Sequence, residues 1–582
     1  MTSARSSSRL WVVGVSALAL GSVSSQGSQV AEDSVTSRHL PSPRGEILDR
    51  NGIPLADSRG AFNLYVLPRL YGSEARARLI ELLGLDAEEI ARLDDRVDPA
   101  GDPTGDRAVL VLEDIGRARA GRIDGARGAL GGAALVEMDS RRRYPQGELT
   151  AHLVGYASQA SPDELAEKGL APDAGNLVGR HGVEESLDSW LEGIPGVERF
   201  IAADDGELAP VTFEPPVAGH DVILTVDLEL ERVAASALGA QVAGAVVVAE
   251  VETGRILALV SRPSFDPSAM MGPGAREELR LEGDPLRPLI DRTVALYPPG
   301  STYKLATAVA GLEGDAAIRN EERTCTGSRQ VGKRIFLDMG AHGTVDFVDA
   351  LKVSCNVYFW TVAERVGIDA IASAARDFGF GTRSGIGING EEAGRVPDRT
   401  TYDLEGPNGL AHTLITAIGN GDVRVNAIQL AMAYAAVANG GRLYQPQLVR
   451  RIQTAGGDIV EDRLPVLRRR VAVSSATLET IREGMWRAVN TAGGTGFAAH
   501  KGAIPMAGKT GTALPPPHDG ESHAWFVSYA PVETPELVVV VFVEHGGVGG
   551  KVAAPIGRAV VDRSFAILRR QRRALRSPAR RR

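Results

Sequence analysis

Three short segments carry residue types that could perform acyl transfer. Tyr297-Pro-Pro-Gly-Ser-Thr-Tyr-Lys304 opens a helix after a proline turn, with Ser301 in its first turn and Lys304 three residues later on the same face. A serine hydroxyl is a weak nucleophile that needs a base, and an amine one turn away becomes that base once its pKa is depressed. The helix N-terminus also aims N–H groups at any oxyanion formed near Ser301. Alone the S-x-x-K pattern is weak, because composition supplies one about half the time. Lys509-Thr-Gly-Thr512 is rarer, with a chance expectation of about 0.05. It falls on a predicted strand with Gly508 and Gly511, glycines that admit close backbone approach, as where an edge strand pairs with an extended substrate. Lys509 offers fixed positive charge to a substrate carboxylate and to the pKa of Lys304. Val353-Ser-Cys-Asn356 is the third segment: Ser354 and Asn356 can point one way and Cys355 the other. By itself it reads as a helix cap. Order and spacing lift all three, since S-x-x-K, S-x-N and K-T-G follow one another with Ser301, Ser354 and Lys509 separated by 53 and 155 residues.

The elements that must hold these segments come from a chain of 582 residues, enough for two to four domains. Its composition, 43% apolar and 24% charged, is globular, and its net charge of −9 excludes a general nucleic-acid binder. Of 64 basic residues only 7 are Lys, so each Lys raises the question why Arg would not serve. Two cysteines exclude a disulfide scaffold. Arg5 and Arg9 precede an apolar run from Leu10 to Val23, the form of an export signal. The run serves as a short membrane anchor or as a signal cleaved at Ser22-Val23-Ser24, and either way the remaining chain lies outside the cytoplasm.

Residues 26–43 read as a polar linker. Asn51-Gly52 between apolar segments predicts a hairpin, on chain physics alone an ordinary surface one. Residues 69–132 alternate helical stretches with Gly- and Asp-rich breaks, and the prolines of 210–219 mark a boundary. Beyond it, residues 222–226, 245–251, 255–260, 506–512, 524–529 and 537–544 are strand-like. Residues 228–238, 305–312, 345–366, 368–378, 427–439, 476–490 and 552–568 are helical. Strands at both ends with helices between predict one α+β sheet assembled from distant pieces and covered by a helical lobe. The tail 569–582 holds eight Arg and no acid, which reads as a solvated disordered end or as a contact for anionic envelope polymers or lipid heads.

On these residues the chain resembles the class B penicillin-binding proteins, most closely the penicillin-binding protein 2 branch of the rod-shape elongation machinery. Arg44-Gly with Asp49-Arg-Asn-Gly52 resembles the signature that begins that family's N-terminal pedestal. Arg143-Tyr-Pro, Gly147, Ala151-His152 and Gly155-Tyr156 resemble a second. Ala417-Ile-Gly-Asn-Gly421, Ala524-Trp-Phe526 and Gly546-Gly-Val-Gly549 fall where the transpeptidase module has them. Asn420 and Arg424-Val-Asn426 depart from the glutamine and Thr-Pro pair common there. The resemblance implies a cytoplasmic stub (1–9), an anchor or signal-like segment (10–25), a mixed pedestal of dimerisation type (26–219), a transpeptidase domain of antiparallel sheet and helices (220–568) and a basic tail.

It further implies a D,D-transpeptidase of the inner membrane, facing the periplasm, that joins peptidoglycan stem peptides through a serine acyl-enzyme and is acylated by β-lactams. No cofactor is implied for catalysis. Ser301 would be the nucleophile, Lys304 its base and Ser354 a proton relay. Asn356 would hold substrate backbone, and Lys509, Thr510 and Thr512, with Gly511 between, would bind the terminal carboxylate. The partner implied is a SEDS-family glycosyltransferase. A D,D-carboxypeptidase or β-lactamase shares this chemistry, and a catalytically silent β-lactam sensor or scaffold is the rival outside it.

Cys325, Asp338, His342 and Cys355 bracket one short region and make a closed tetrahedral set for one structural zinc. Some relatives in this branch resemble it, with a His-Gly and an S-C-[DN] near the same motif. A Cys325–Cys355 disulfide and two buried thiols beside a solvated His342 are the competing readings.

Overall fold

Five strands, two from residues 244–262 and three from residues 507–543, form one antiparallel sheet. They are β1 (Gly244–Glu250), β2 (Ile256–Arg262), β3 (Ala507–Ala513), β4 (His523–Ala530) and β5 (Leu537–Val543), in the order β2-β1-β5-β4-β3. Every residue of β4 and β5 is buried, because both faces are covered. Val538, Val540 and Phe542 face the core that contains helix α4 (Ala427–Ala438), while Val539, Val541 and Val543 face the core under helices α1 (Leu228–Leu238) and α6 (Ala553–Arg576). A strand buried on both faces is apolar throughout rather than alternating, which is why these runs stand out in the sequence. Strand β3 is an edge, open to an extended ligand.

The helical lobe packs helix α2 (Lys304–Gly314) against α3 (Asn356–Asp377). The expected helix over 345–366 is broken. Gly343–Val345 is a strand, Phe347–Lys352 a short helix, and α3 begins only at Asn356. Ser354, at the break, has φ +58, a left-handed conformation that costs a non-glycine residue about 1–2 kcal/mol.

The computed structural model describes residues 35–40, 42–97, 108–168, 177–202, 208–239, 242–271, 280–402, 406–515 and 520–576. The expected anchor or signal, 10–25, lies outside them. Among them, no helix is long and apolar enough to cross a membrane. The chain divides into two compact units. The smaller is a three-stranded sheet of Val35–Leu40, Gly196–Ala202 and Leu208–Glu214. Part of the expected linker and of the expected boundary is therefore strand. Pro210 is tolerated because its strand is an edge of that sheet.

In the larger unit the Asn51-Gly52 hairpin forms between Ile47–Leu48 and Pro54–Val66, with Gly52 at φ +82. The tip Asn51–Ile53 is exposed, as expected of a surface hairpin, but Asp49 Oδ2 also accepts the N–H of Leu228, so the hairpin caps α1 as well. The pedestal signatures meet on one carboxylate: Glu184 accepts from Arg44 Nε at 2.6 Å, Arg142 Nε at 2.7 Å and the Tyr144 hydroxyl at 3.2 Å. Burial opposes the charge on Glu184, but Arg142 and Arg44 outweigh it and hold the carboxyl below its usual range. These signatures are structural stitches. Helix α6 runs on to Arg576, which corrects the disordered tail over 569–576, while 577–582 lie outside the described residues; Arg570 pairs with Glu229 and Arg572 with Glu536.

Glu231 on α1 shows what an unpaired buried acid does. Its Oε2 accepts the N–H of Leu259 at 2.8 Å, its Oε1 has no partner, and burial raises the carboxyl from its ordinary 4.5 to about 8. The fold therefore keeps a proton that the unfolded chain releases. The stabilisation is complete below pH 4.5 and is lost as pH rises through about 8. Glu231→Gln is expected to leave the melting temperature near pH 5 unchanged and to raise stability at pH 9, relative to the parent, by on the order of 3 kcal/mol. Thermal melts of both proteins at the two pH values test this, and parallel pH dependence would refute it.

Candidate active site

Ser301 sits in the single turn Gly300–Tyr303 that runs straight into α2. The prolines before it stop any earlier helix, and the turn is fixed from three sides. Trp525 Nε1 donates to Pro298 O at 3.0 Å, Gly300 N to Gly419 O at 2.9 Å, and the Tyr434 hydroxyl to Thr302 O at 2.8 Å. Gly300 lies at φ +53, and a Cβ there would meet Thr512 O at 2.5 Å. A Cβ on Gly511 would in turn meet Pro299 O at 2.7 Å. Only glycine lets the nucleophile turn and β3 come this close, so Ser301 and Thr512 are brought side by side.

Lys304 is fully buried behind that turn. Its Nζ donates to Ser354 O at 2.6 Å, to Asn356 Oδ1 at 2.7 Å and to Ser354 Oγ at 3.2 Å, and lies 5.2 Å from the centre of the Phe359 ring. Lys509 Nζ reaches the same hydroxyl, Ser354 Oγ, at 2.8 Å and also donates to Thr510 O. The strained backbone at Ser354 is what turns its hydroxyl between the two amines. Burial lowers Lys304 from its ordinary 10.5 to about 8, against the pull of Asp338, Cys355 and Cys325. Burial and then the charge of Lys304 push Lys509 well down. Two ammonium groups sharing one oxygen repel, so the first proton leaves the pair easily.

Along β3, Lys509 is directed at Ser354, while Thr510 and Thr512 share the opposite face. The Thr510 hydroxyl donates to Thr495 Oγ1 at 2.8 Å, and Thr512 Oγ1 accepts from Gly549 N at 3.2 Å. Thr495 is a neighbour the sequence reading missed, although the run Gly493-Gly494-Thr495-Gly496 is the kind of tight turn that brings a hydroxyl to a strand.

The four predicted metal ligands also converge. Their donor atoms all lie within 4.8 Å of one another: Cys325 Sγ is 3.3 Å from His342 Nδ1 and 3.6 Å from Asp338 Oδ2, and those two are 3.6 Å apart. Metal–ligand bonds of about 2.0–2.3 Å at tetrahedral angles separate ligand atoms by about 3.3–3.8 Å, so these three separations fit one ion. The strand Arg323–Cys325 pairs with Gly343–Val345, which brings His342 beside Cys325. Cys355 caps α3 and is fully buried; burial raises its thiol, and the two cysteines are not bonded to each other. Asp338 Oδ2 also accepts the N–H groups of Asn356 and Val357, the support a ligating carboxylate needs.

Residues 244–562 match the family model described as "Penicillin binding protein transpeptidase domain", and residues 39–224 match "Penicillin-binding Protein dimerisation domain". The chain is 31% identical to the peptidoglycan D,D-transpeptidase MrdA of Haemophilus influenzae over 90% of its own length and 84% of the relative's. The chain belongs to the penicillin-binding protein transpeptidase family. Like its named relatives it is a serine-type D,D-transpeptidase of the cell wall. A penicillin-binding protein 2 from Helicobacter pylori, solved in complex with MreC, shares the fold with a TM-score of 0.76 at 24% identity, covering 91% of this chain and 99% of that one. A chain from a structure titled "Structural coordination of polymerization and crosslinking by a peptidoglycan synthase complex" aligns with a TM-score of 0.74 at 30% identity, covering 92% of each. The α+β reading, pedestal before transpeptidase, agrees with both.

Proposed function

We propose that this transpeptidase cross-links stem peptides during cell-wall elongation, with Ser301 as the acylated residue and the Lys304–Ser354–Lys509 triad as its proton path. The observation that carries the reading is the Ser354 hydroxyl, within hydrogen-bond reach of both amines directly behind the nucleophile turn. A donor stem lies extended along the edge strand β3. Its terminal carboxylate, set against Lys509, Thr510 and Thr512, holds the pair's remaining proton on Lys509, which leaves Lys304 neutral. Ser301 Oγ then attacks the carbonyl carbon of the penultimate D-Ala as its proton passes to Lys304 Nζ. The N–H groups of Ser301 and Thr512 stabilise the oxyanion. Collapse breaks the peptide bond, and the departing D-Ala amine takes a proton through Ser354 Oγ. An amine of a neighbouring stem attacks the resulting ester, and the same path runs in reverse.

Asn356, already bonded to Lys304, holds substrate backbone. Cys325, Asp338, His342 and Cys355 would hold one zinc that is structural and enters no chemical step. Residues 10–25 would tether the chain in the inner membrane with the transpeptidase in the periplasm, and a SEDS-family glycosyltransferase would supply the glycan strands. The two solved complexes support partners of this kind, since one couples polymerization with crosslinking and the other binds MreC.

Incubation with a fluorescent penicillin is expected to give one covalent adduct per chain, which peptide mapping places on Ser301. A folded protein that takes no label, or takes it elsewhere, would overturn the assignment.

A further inference from the structure

The loop between Gly419 and Val425 is fastened to the nucleophile turn at both ends. Gly300 N donates to Gly419 O, and Tyr297 and Val425 exchange both backbone hydrogen bonds, at 2.9 and 3.0 Å. Val423 and Val425 are fully buried, so Arg424 between them is turned the other way, and it is half-buried. Its Nη1 donates to the carbonyls of Gly421 and Val423 at 2.7 and 2.8 Å. No carboxylate among the described residues lies within salt-bridge distance of this guanidinium. The nearest acid in sequence, Asp422, is occupied by the Tyr402 hydroxyl at 2.8 Å and by Arg395 at 3.9 Å.

A half-buried arginine without a counter-ion is unusual, because removing its charge from water is unfavourable unless an anion answers it. Burial lowers its pKa; Asp422 offsets part of that, and Arg395 then adds to the lowering while Tyr402 opposes it. The position of Arg424 ties it to the cleft. Tyr297, four residues ahead of Ser301, pairs with Val425 and stacks edge-on against His523 at 5.4 Å. His523 faces Ala513, the residue after Thr512 on β3. After burial and His545, the charge of Arg424 helps push His523 down to about 4. Arg424 is therefore close to His523, whose partner on β3 is Ala513, one residue beyond the predicted carboxylate-binding Thr512.

We propose that Arg424 binds a second carboxylate of the donor stem peptide, on an interior residue, and so makes the enzyme select stems whose interior carboxylate is free over stems in which it is amidated. The inference rests on the transpeptidase reading and names its substrate class more closely. Among the described residues the Nε and Nη2 groups of Arg424 have no partner, and they would meet that carboxylate as a charge-assisted pair.

The test uses the full chain and soluble stem-peptide donors ending in D-Ala–D-Ala, matched except that the second- or third-residue carboxylate is free or amidated. The parent is expected to prefer one free acid over its amide by about tenfold in kcat/KM, a charge-assisted hydrogen bond at a partly wet site. Arg424→Ala is expected to bring that ratio close to one by raising KM for the acid, and Arg424→Lys to keep part of it. A parent indifferent to amidation at both residues overturns the proposal without any variant. A variant that is slower but keeps the preference also overturns it, because Arg424 would then only brace the loop. Penicillin acylation of the parent separates the two levels. If it fails, the enzyme reading falls; if it succeeds without acid–amide preference, only the role of Arg424 falls.

Discussion

Replacing Lys304 with Met is expected to slow penicillin acylation of Ser301 by about 10³-fold, within the range that a positioned general base contributes. The thioether side chain fills nearly the same buried volume, so the surrounding packing survives while the base is lost. Ser354 Oγ would still be held by Lys509 at 2.8 Å, but no amine would stand behind Ser301 to take its proton. The pH profile makes the claim specific. With Lys304 lowered to about 8 by burial, the neutral amine grows as pH rises, so acylation rate should climb from pH 6 and level off above about 8. Where the substrate carries a carboxylate, loss of the second proton from the pair should turn the profile down at higher pH, and both limbs belong to the coupled pair. Lys304→Met should flatten the acid limb. Stopped-flow acylation between pH 6 and 10, with melting temperatures as the check on folding, decides it. A variant within tenfold of the parent, or one that keeps the acid limb, would remove Lys304 as the base.

How far this centre could be read from sequence depends on what each residue answers to. The strands of the catalytic sheet were legible because both faces are buried and residues 245–249 and 537–543 are apolar without interruption. Lys509 was legible because lysine is rare in an arginine-rich chain and K-T-G rarer still. Ser354 was legible only through its spacing from Ser301. Its left-handed backbone is imposed by the break between Phe347–Lys352 and α3, and nothing in the local sequence announces a serine at φ +58. That same break is why one helix over 345–366 was the wrong expectation. The hairpin at Asn51-Gly52 was plain, but its role was not, because Asp49 finds Leu228 across 179 residues. Arg424 was visible only as a departure from the family pattern. Its want of a counter-ion exists in three dimensions alone, since Asp422, two positions before it, belongs to Tyr402 and Arg395.

Removing metal from the Cys325–Asp338–His342–Cys355 set is expected to have the second large effect, and to act on the active site from behind. Cys355 caps α3, and Asn356, the first residue of that helix, accepts from Lys304. Ser354, the residue before the cap, holds both lysines. An ion bound to Cys355 and Asp338 would thus fix the backbone from Ser354 to Val357, including the strained residue. Without it, Asp338 Oδ2 still receives two N–H groups, so the helix should persist while the Ser354 turn loosens. Acylation is therefore expected to fall about 10–100-fold on chelation or in Cys355→Ala, the range seen when groups that orient a site are lost. The melting temperature should drop as well, since metal held only by the fold adds its binding energy to stability. Protein purified without chelator should contain one zinc per chain and, after denaturation with chelator, two titratable thiols. Full acylation in a metal-free, thiol-intact protein would leave the cluster as two buried thiols beside a capping aspartate, and absence of both metal and thiols would make it a disulfide.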